Sequence, residues 1–130
     1  FNTAVAKVSM SFGDAFLKGI FCIMLVCLAV WLGFSSKSAA GKIAALFYPI
    51  MVFVVSGFEH SIANMFYGPA GLFAMGNADY LAKATADTSK LTWGAFFANN
   101  LLPVTLGNIV GGALFVGCVY WFIYLKKDAK

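Results

Sequence analysis

Fourteen consecutive residues, Gly19 to Leu32, carry no charge and no strongly polar side chain. Extended to its natural limits, about 12–34, this stretch is too long for an ordinary soluble core helix and long enough to cross a bilayer core about 30 Å thick. A chain with such a segment must satisfy its backbone internally, so helices are the expected architecture. Composition agrees: 62% of the 130 residues are hydrophobic, 17% aromatic and 11% charged, with mean hydropathy +0.86. That length holds about three spans of roughly 20 apolar residues each. Phe1 at the start, without an initiating Met or a basic leader, suggests a piece of a longer chain.

The second apolar segment, about 43–67, contains two residues that lipid disfavours, Glu59 and His60. Ionisable side chains at membrane depth are costly, and they usually face a bundle interior or an aqueous path. Ser56 and Gly57 just before them are a natural place for the helix to break. A break at this depth is tolerated where freed backbone groups line a cavity or meet protein partners. The expected geometry is two half-helices meeting near the midplane, the second ending at Gly68-Pro69. Neighbouring helical residues point about 100° apart, so Glu59 and His60 cannot share one face. Glu59 is therefore expected to accept hydrogen bonds that secure the broken segment. Asn64, four residues after His60, shares its face and suits either a pore lining or helix-end fixing.

Residues 68–92 turn polar and small, an extramembrane loop with room for one interfacial helical turn. The third span, about 93–125, is too long for a perpendicular helix, so Asn99 to Pro103 is expected to form a separate, irregular first portion divided at Pro103. Asp14 and Lys18 have i,i+4 spacing and are expected to form a local ion pair or a subunit contact. Lys37 and Lys42 follow span one and Lys126, Lys127 and Lys130 follow span three, which places both on the cytoplasmic side. The amino end with Lys7, and the 68–92 loop, then lie outside. The net charge of +4 is no nucleic-acid signal, because the lysines flank helices and form no stripe.

Cys22, Cys27 and Cys118 are odd in number, all apolar in context, and read as packing residues. One histidine cannot make a histidine-rich metal site, and phosphate-binding or nucleophile-elbow motifs are lacking. No cofactor, metal or enzyme activity is expected.

Two ordered motifs carry a specific resemblance: Ser56-Gly-Phe-Glu-His-Ser-Ile-Ala-Asn-Met-Phe66 and Asn100-Leu-Leu-Pro-Val-Thr-Leu-Gly-Asn-Ile-Val-Gly-Gly112, with Val26-Cys-Leu-Ala-Val-Trp31 in span one. They resemble the second half of the formate/nitrite transporter family. The resemblance implies an all-α membrane protein with an aquaporin-like bundle, in which residues 1–130 form one three-span inverted repeat with a broken middle helix. It implies a six-span protomer whose N-terminal half is missing here, a homopentamer in the cell inner membrane, and passage of formate or a similar small anion. Within the family the alternatives are nitrite and hydrosulfide; outside it, a pore for water or neutral solutes or a non-transporting scaffold.

Carried over by position, His60 matches the pore histidine after the break, Phe53 an aromatic of the cytoplasmic constriction, and Val26 an apolar residue of the periplasmic one. Asn108 matches a polar residue near the histidine, and Lys7 a basic residue on the periplasmic side. Ile23 departs from the pattern, since asparagine is frequent there. Without the resemblance, Phe53 and Val26 read as packing residues. Asn108 reads as a helix-interface amide beside Gly107-x-x-x-Gly111, a small-xxx-small pattern.

Overall fold

A computed structural model describes residues 1–126, so Lys127 and Lys130 of the orientation argument lie outside the described residues. Among those described there are helices and no strands. A short helix α1 (Asn2–Val8) precedes α2 (Phe12–Ser35), α3 (Ala39–Val55), α4 (Ser61–Ala74) and α5 (Ala78–Leu81). A single 3-10 turn, Thr88–Lys90, leads into α6, a continuous 33-residue helix from Trp93 to Leu125.

Polar side chains start these helices. Ser11 Oγ accepts from the Asp14 N–H at 3.1 Å and its hydroxyl returns a bond to Asp14 Oδ2 at 2.7 Å. Ser38 receives the Gly41 N–H, and Thr92 the Ala95 N–H, both at 3.1 Å. Each side-chain oxygen satisfies a donor that the first helical turn leaves without a partner. Asp14 is thereby used in capping, and Lys18 Nζ lies 3.8 Å from Met10 Sδ. The expected Asp14–Lys18 pair does not form.

Helices α2 and α6 are long and apolar enough to cross a membrane, with mean hydropathy 2.4 and 1.8 over their best windows. They form the most extensive helix pairing, and α3 also packs along α2. Close approach of α2 and α6 depends on small residues. A Cβ added at Gly107 would strike the Phe16 carbonyl oxygen, and one at Gly19 would lie 2.8 Å from the Val104 oxygen. Backbone-to-backbone packing of this kind is how apolar helices associate when no hydrophobic gain separates lipid from protein.

Two proline-based expectations fail. Helix α4 runs through Gly68-Pro69 to Ala74 instead of stopping there. The bare Gly68 lets the Phe96 ring lie against it, and Gly71 does the same for Ala4, so packing outweighs one lost backbone bond. Nor does Pro103 divide the third span. Winding opens to an i→i+5 pattern over Phe96–Leu101, and the Leu102 N–H bonds the Phe97 carbonyl. Pro103 then falls in the first turn of the regular stretch Leu102–Ile109, where its missing N–H and fixed φ are tolerated.

The middle segment breaks where expected. Helix α3 ends at Val55, and Gly57 takes φ +65, the only positive φ among the described residues. The chain then resumes as α4 from Ser61. A side chain at Gly57 would meet no neighbour within 4 Å. Glycine is required there by its backbone angle alone.

Helix α1 and the 68–92 segment close the end opposite the Ser36–Ser38 turn. Ala4, Val5 and Val8 of α1 bury against Leu91 and Phe96. Asn2 Nδ2 donates to Thr85 Oγ1 at 2.6 Å, and Asn2 Oδ1 accepts from the Ala86 N–H at 3.2 Å. Outside that cluster much apolar surface is bare, with Val55 80%, Phe73 74% and Phe66 70% exposed. Such faces are stable against lipid or protein, and not against water.

Candidate functional site

Five residues, Ser56 to His60, bring a carboxylate and an imidazole out of the helical ladder between α3 and α4. Glu59 is 4% exposed. Its N–H donates to the Lys18 carbonyl at 3.3 Å, which ties the break to α2. The Lys7 ammonium donates to Glu59 Oε1 at 2.9 Å and to Oε2 at 3.0 Å. Asn64 Nδ2 donates to Oε2 at 2.6 Å and Asn100 Nδ2 to the same oxygen at 3.3 Å. Lys7–Glu59 is the one salt bridge among the described residues. A carboxylate is costly to bury without a countercharge and hydrogen bonds, and this one has both.

The network reaches every nearby element. Asn100 also donates to the Lys7 carbonyl at 3.1 Å, and its Oδ1 accepts from Asn64 at 2.8 Å. Asn64 and Asn100 are completely buried. Thus α1, the break, α4 and α6 are fixed by one cluster, and Asn64 contributes to helix-end fixing through its amide. The sequence reading missed Asn100. A polar side chain beside Pro103 in an otherwise apolar span was the available signal.

His60 is the N-cap of α4. Its Nδ1 accepts from the Ala63 N–H at 3.4 Å, and its ring stacks on Phe53 with centroids 6.1 Å apart. A neutral imidazole whose Nδ1 accepts carries its proton on Nε2, which is left as a donor. Protonating both nitrogens would release the cap.

His60, Phe53, Lys7, Glu59 and Asn64 line one cavity of about 640 Å³, together with Gly57 and Lys18. The cavity therefore holds two lysines and one glutamate. Val26 and Asn108 are not on its wall. Val26 is half-buried lower on α2. Asn108 is spent on backbone: Oδ1 accepts from the Ser61 N–H at 3.0 Å, and Nδ2 donates to the Gly19 carbonyl at 2.8 Å and the Glu59 carbonyl at 3.1 Å. Both amide hydrogens are used, as the helix-interface reading of Asn108 expects. It fixes the start of α4 against α2 and α6. Ile23 packs against Gly111 and Gly112, an apolar contact where the family pattern has an amide.

A family model described as formate/nitrite transporter matches residues 1–122. The chain belongs to the formate/nitrite transporter family. It is 49% identical over 119 residues to a probable formate transporter of Methanothermobacter thermautotrophicus, covering 92% of this chain and 38% of that one. It is 44% identical over 132 residues to the formate channel FocA of Escherichia coli strain K12, covering 98% and 46%. Among solved structures it is similar to a pentameric formate channel with formate bound, with TM-score 0.85, 45% identity, and coverage of 95% of this chain and 51% of that one. The chain spans roughly two fifths to a half of these relatives. Membership of the formate/nitrite transporter family makes this a membrane transport protein fold, and the all-helical architecture agrees with the matched channel. The relatives bear the names of transporters and channels, not enzymes.

Proposed function

We propose that the chain is the later three-span half of a channel for formate and related small monovalent anions, arranged with its N-terminal half as an aquaporin-like six-span protomer in a homopentamer of the cell inner membrane. Support comes from the family match and from similarity to a pentameric formate channel with formate bound. The observation that carries the reading is His60. Its ring stands at a helix break in the wall of a cavity with a positive excess of fixed charge, with Nε2 left as a donor.

The chemistry explains why an imidazole belongs there. An ionised carboxylate without partners in a low-dielectric constriction costs on the order of tens of kcal/mol. An acid of pKa near 4 is protonated at pH 7 for about 4 kcal/mol. In its capped state His60 can only hydrogen-bond an anion through Nε2. To transfer a proton it must first become imidazolium, releasing the Ala63 N–H; it then gives one proton to the carboxylate, leaving a neutral ring and a neutral acid. Phe53, stacked on the ring, narrows the way onward. Glu59 acts as an anchor, with Ser56, Gly57 and Asn64 shaping the break, and Lys7 serves the site by neutralising Glu59. Nitrite has a claim of its own, because the family description names it.

Uptake of formate, acetate, nitrite and hydrosulfide by proteoliposomes of the full-length protein, compared at two pH values, tests the proposal. Formate should be taken up, faster at the lower pH, and His60→Phe should remove the pH dependence. Equal pH dependence in the variant removes the proton-exchange role. Flux indifferent to solute charge and pH means a neutral-solute pore.

A further inference from the structure

Tyr67 belongs to the same cavity wall as His60 and follows it by seven residues on α4. Two helical turns return it to nearly the same azimuth, about 10 Å further along the axis. A helical side chain leans toward the N-terminus of its helix, so the Tyr67 ring covers the turn before it and reaches back toward the break. There it meets Lys7, whose ammonium lies over the ring, 5.6 Å from its centroid. The same ammonium is 2.9 Å from Glu59 Oε1 and 3.0 Å from Oε2. Lys7 is thus held between a carboxylate and the electron-rich face of an aromatic ring. The packing of α1 on α4 brings them together. Bare Gly71 lets Ala4 lie against α4. Residues three or four apart share a helix face, so Ala4 on Gly71 and Lys7 on Tyr67 are successive contacts of one seam.

We propose that Tyr67 is a positioning residue for anion passage: its ring keeps the Lys7 ammonium on Glu59 and so stops it from closing on the anion that crosses the cavity. This rests on the anion-passage reading above. A small carboxylate in the cavity offers Lys7 the same pair of oxygens that Glu59 offers, and the two compete for one ammonium. A conducting path needs binding that is favourable enough to enter and weak enough to leave. An ammonium swung away from Glu59 would make a tight anion site and strand a buried carboxylate. The ring weights the equilibrium against that swing.

A cation over an aromatic face shifts an equilibrium about 2-fold where water reaches it and about 30-fold where water is excluded. The Lys7 side chain is largely buried and Tyr67 is partly open, so about 3- to 10-fold applies here. Without the ring, the anion-bound position of Lys7 gains by that factor. Tighter holding lowers the half-saturating concentration and slows release alike, so maximal flux falls in step while flux at low formate barely changes.

Uptake of formate over a range of concentrations by proteoliposomes of the full-length protein tests this. Tyr67→Met and Tyr67→Leu should lower both half-saturation and maximal flux about 3- to 10-fold. Tyr67→Phe, which keeps the ring, should keep both wild-type values. In micelles of the wild-type protein labelled with ¹³C at the lysine ε carbon, the ring current should move the Lys7 ε-methylene protons upfield, a readout that needs no ringless variant to assemble. A Lys7 signal at the ordinary lysine position overturns the proposal. So do ringless variants with unchanged or raised half-saturation, whatever their maximal flux, because a ring that only packs would not loosen the hold on formate. A Phe variant that behaves like Met overturns it too. Wild-type vesicles that move no formate refute the anion-passage reading, whereas wild-type flux with any of these three results refutes this inference alone.

Discussion

The Lys7–Glu59 pair should behave as a unit whose parts are worth less alone than together. Lys7→Met removes the contacts at 2.9 and 3.0 Å and leaves a carboxylate that is 94% buried by side chain, held only by Asn64 and Asn100. Breaking a buried pair on one side costs about 3–5 kcal/mol. The lower end applies, because two amide donors remain and the Lys7 side chain is itself 15% exposed to the cavity. Glu59→Gln alone should cost less, about 1–2 kcal/mol, since the ammonium can turn toward water and the new amide oxygen still accepts from both asparagines. In the double variant no charge is stranded, so the loss should be about 1–2 kcal/mol instead of the additive value of about 4–5. That leaves a coupling of about 3 kcal/mol, well beyond the additivity of independent sites. Unfolding of the full-length protein by SDS titration in mixed micelles measures all four corners of the cycle. Losses that add to within about 0.5 kcal/mol would mean that the two charges are solvated independently, and the anchor argument would fail.

Two further outcomes follow from other contacts. Asn108→Leu strands the Ser61 N–H and the Gly19 and Glu59 carbonyls; stability should fall by about 1–3 kcal/mol, and formate flux should fall with it as the start of α4 loses its register. Retained flux with retained stability would refute the positioning role. Outside the spans, hydrogen bonds from the Ser89 side chain and backbone hold the Asp87 carboxyl below its ordinary value of 3.8. Its small stabilising effect is thus present above that value and is lost as pH falls through the lower folded value. Carboxyl NMR should place Asp87 below ordinary aspartates, and Ser89→Ala should bring it back toward them.

Span positions were legible because apolar length is a one-dimensional property: about 12–34 and about 93–125 became Phe12–Ser35 and Trp93–Leu125. The break at Ser56-Gly57 was legible because a positive φ favours glycine. The prolines misled. Whether Pro69 or Pro103 ends a helix depends on its setting: the Phe96 ring packs on Gly68 from a distant part of the sequence, and the turn before Leu102 is widened in a way that no residue pattern announces. Helix α1 was invisible for a related reason, since seven residues have no reliable periodicity and are held by Leu91, Phe96 and the Glu59 network. Asn108 shows the same limit at the level of a single side chain. Its sequence context admitted both a pore amide and an interface amide, and only the positions of Ser61, Gly19 and Glu59 distinguish them.

The widened turn of α6 has a consequence for how tolerant this span is. An i→i+5 closure amounts to a regular helix with one residue inserted, the surplus taken up locally. Deleting a single residue between Phe96 and Leu101 would let that stretch tighten to ordinary winding while Trp93 on one side and Gly107 on the other kept their azimuths. Within the regular stretch Leu102–Ile109 the same deletion would swivel one end against the other by about 100°. Chain length, normally the least negotiable property of a membrane span, is adjustable where the winding is widened, over Phe96–Leu101 and again over Val110–Cys118 and Trp121–Leu125.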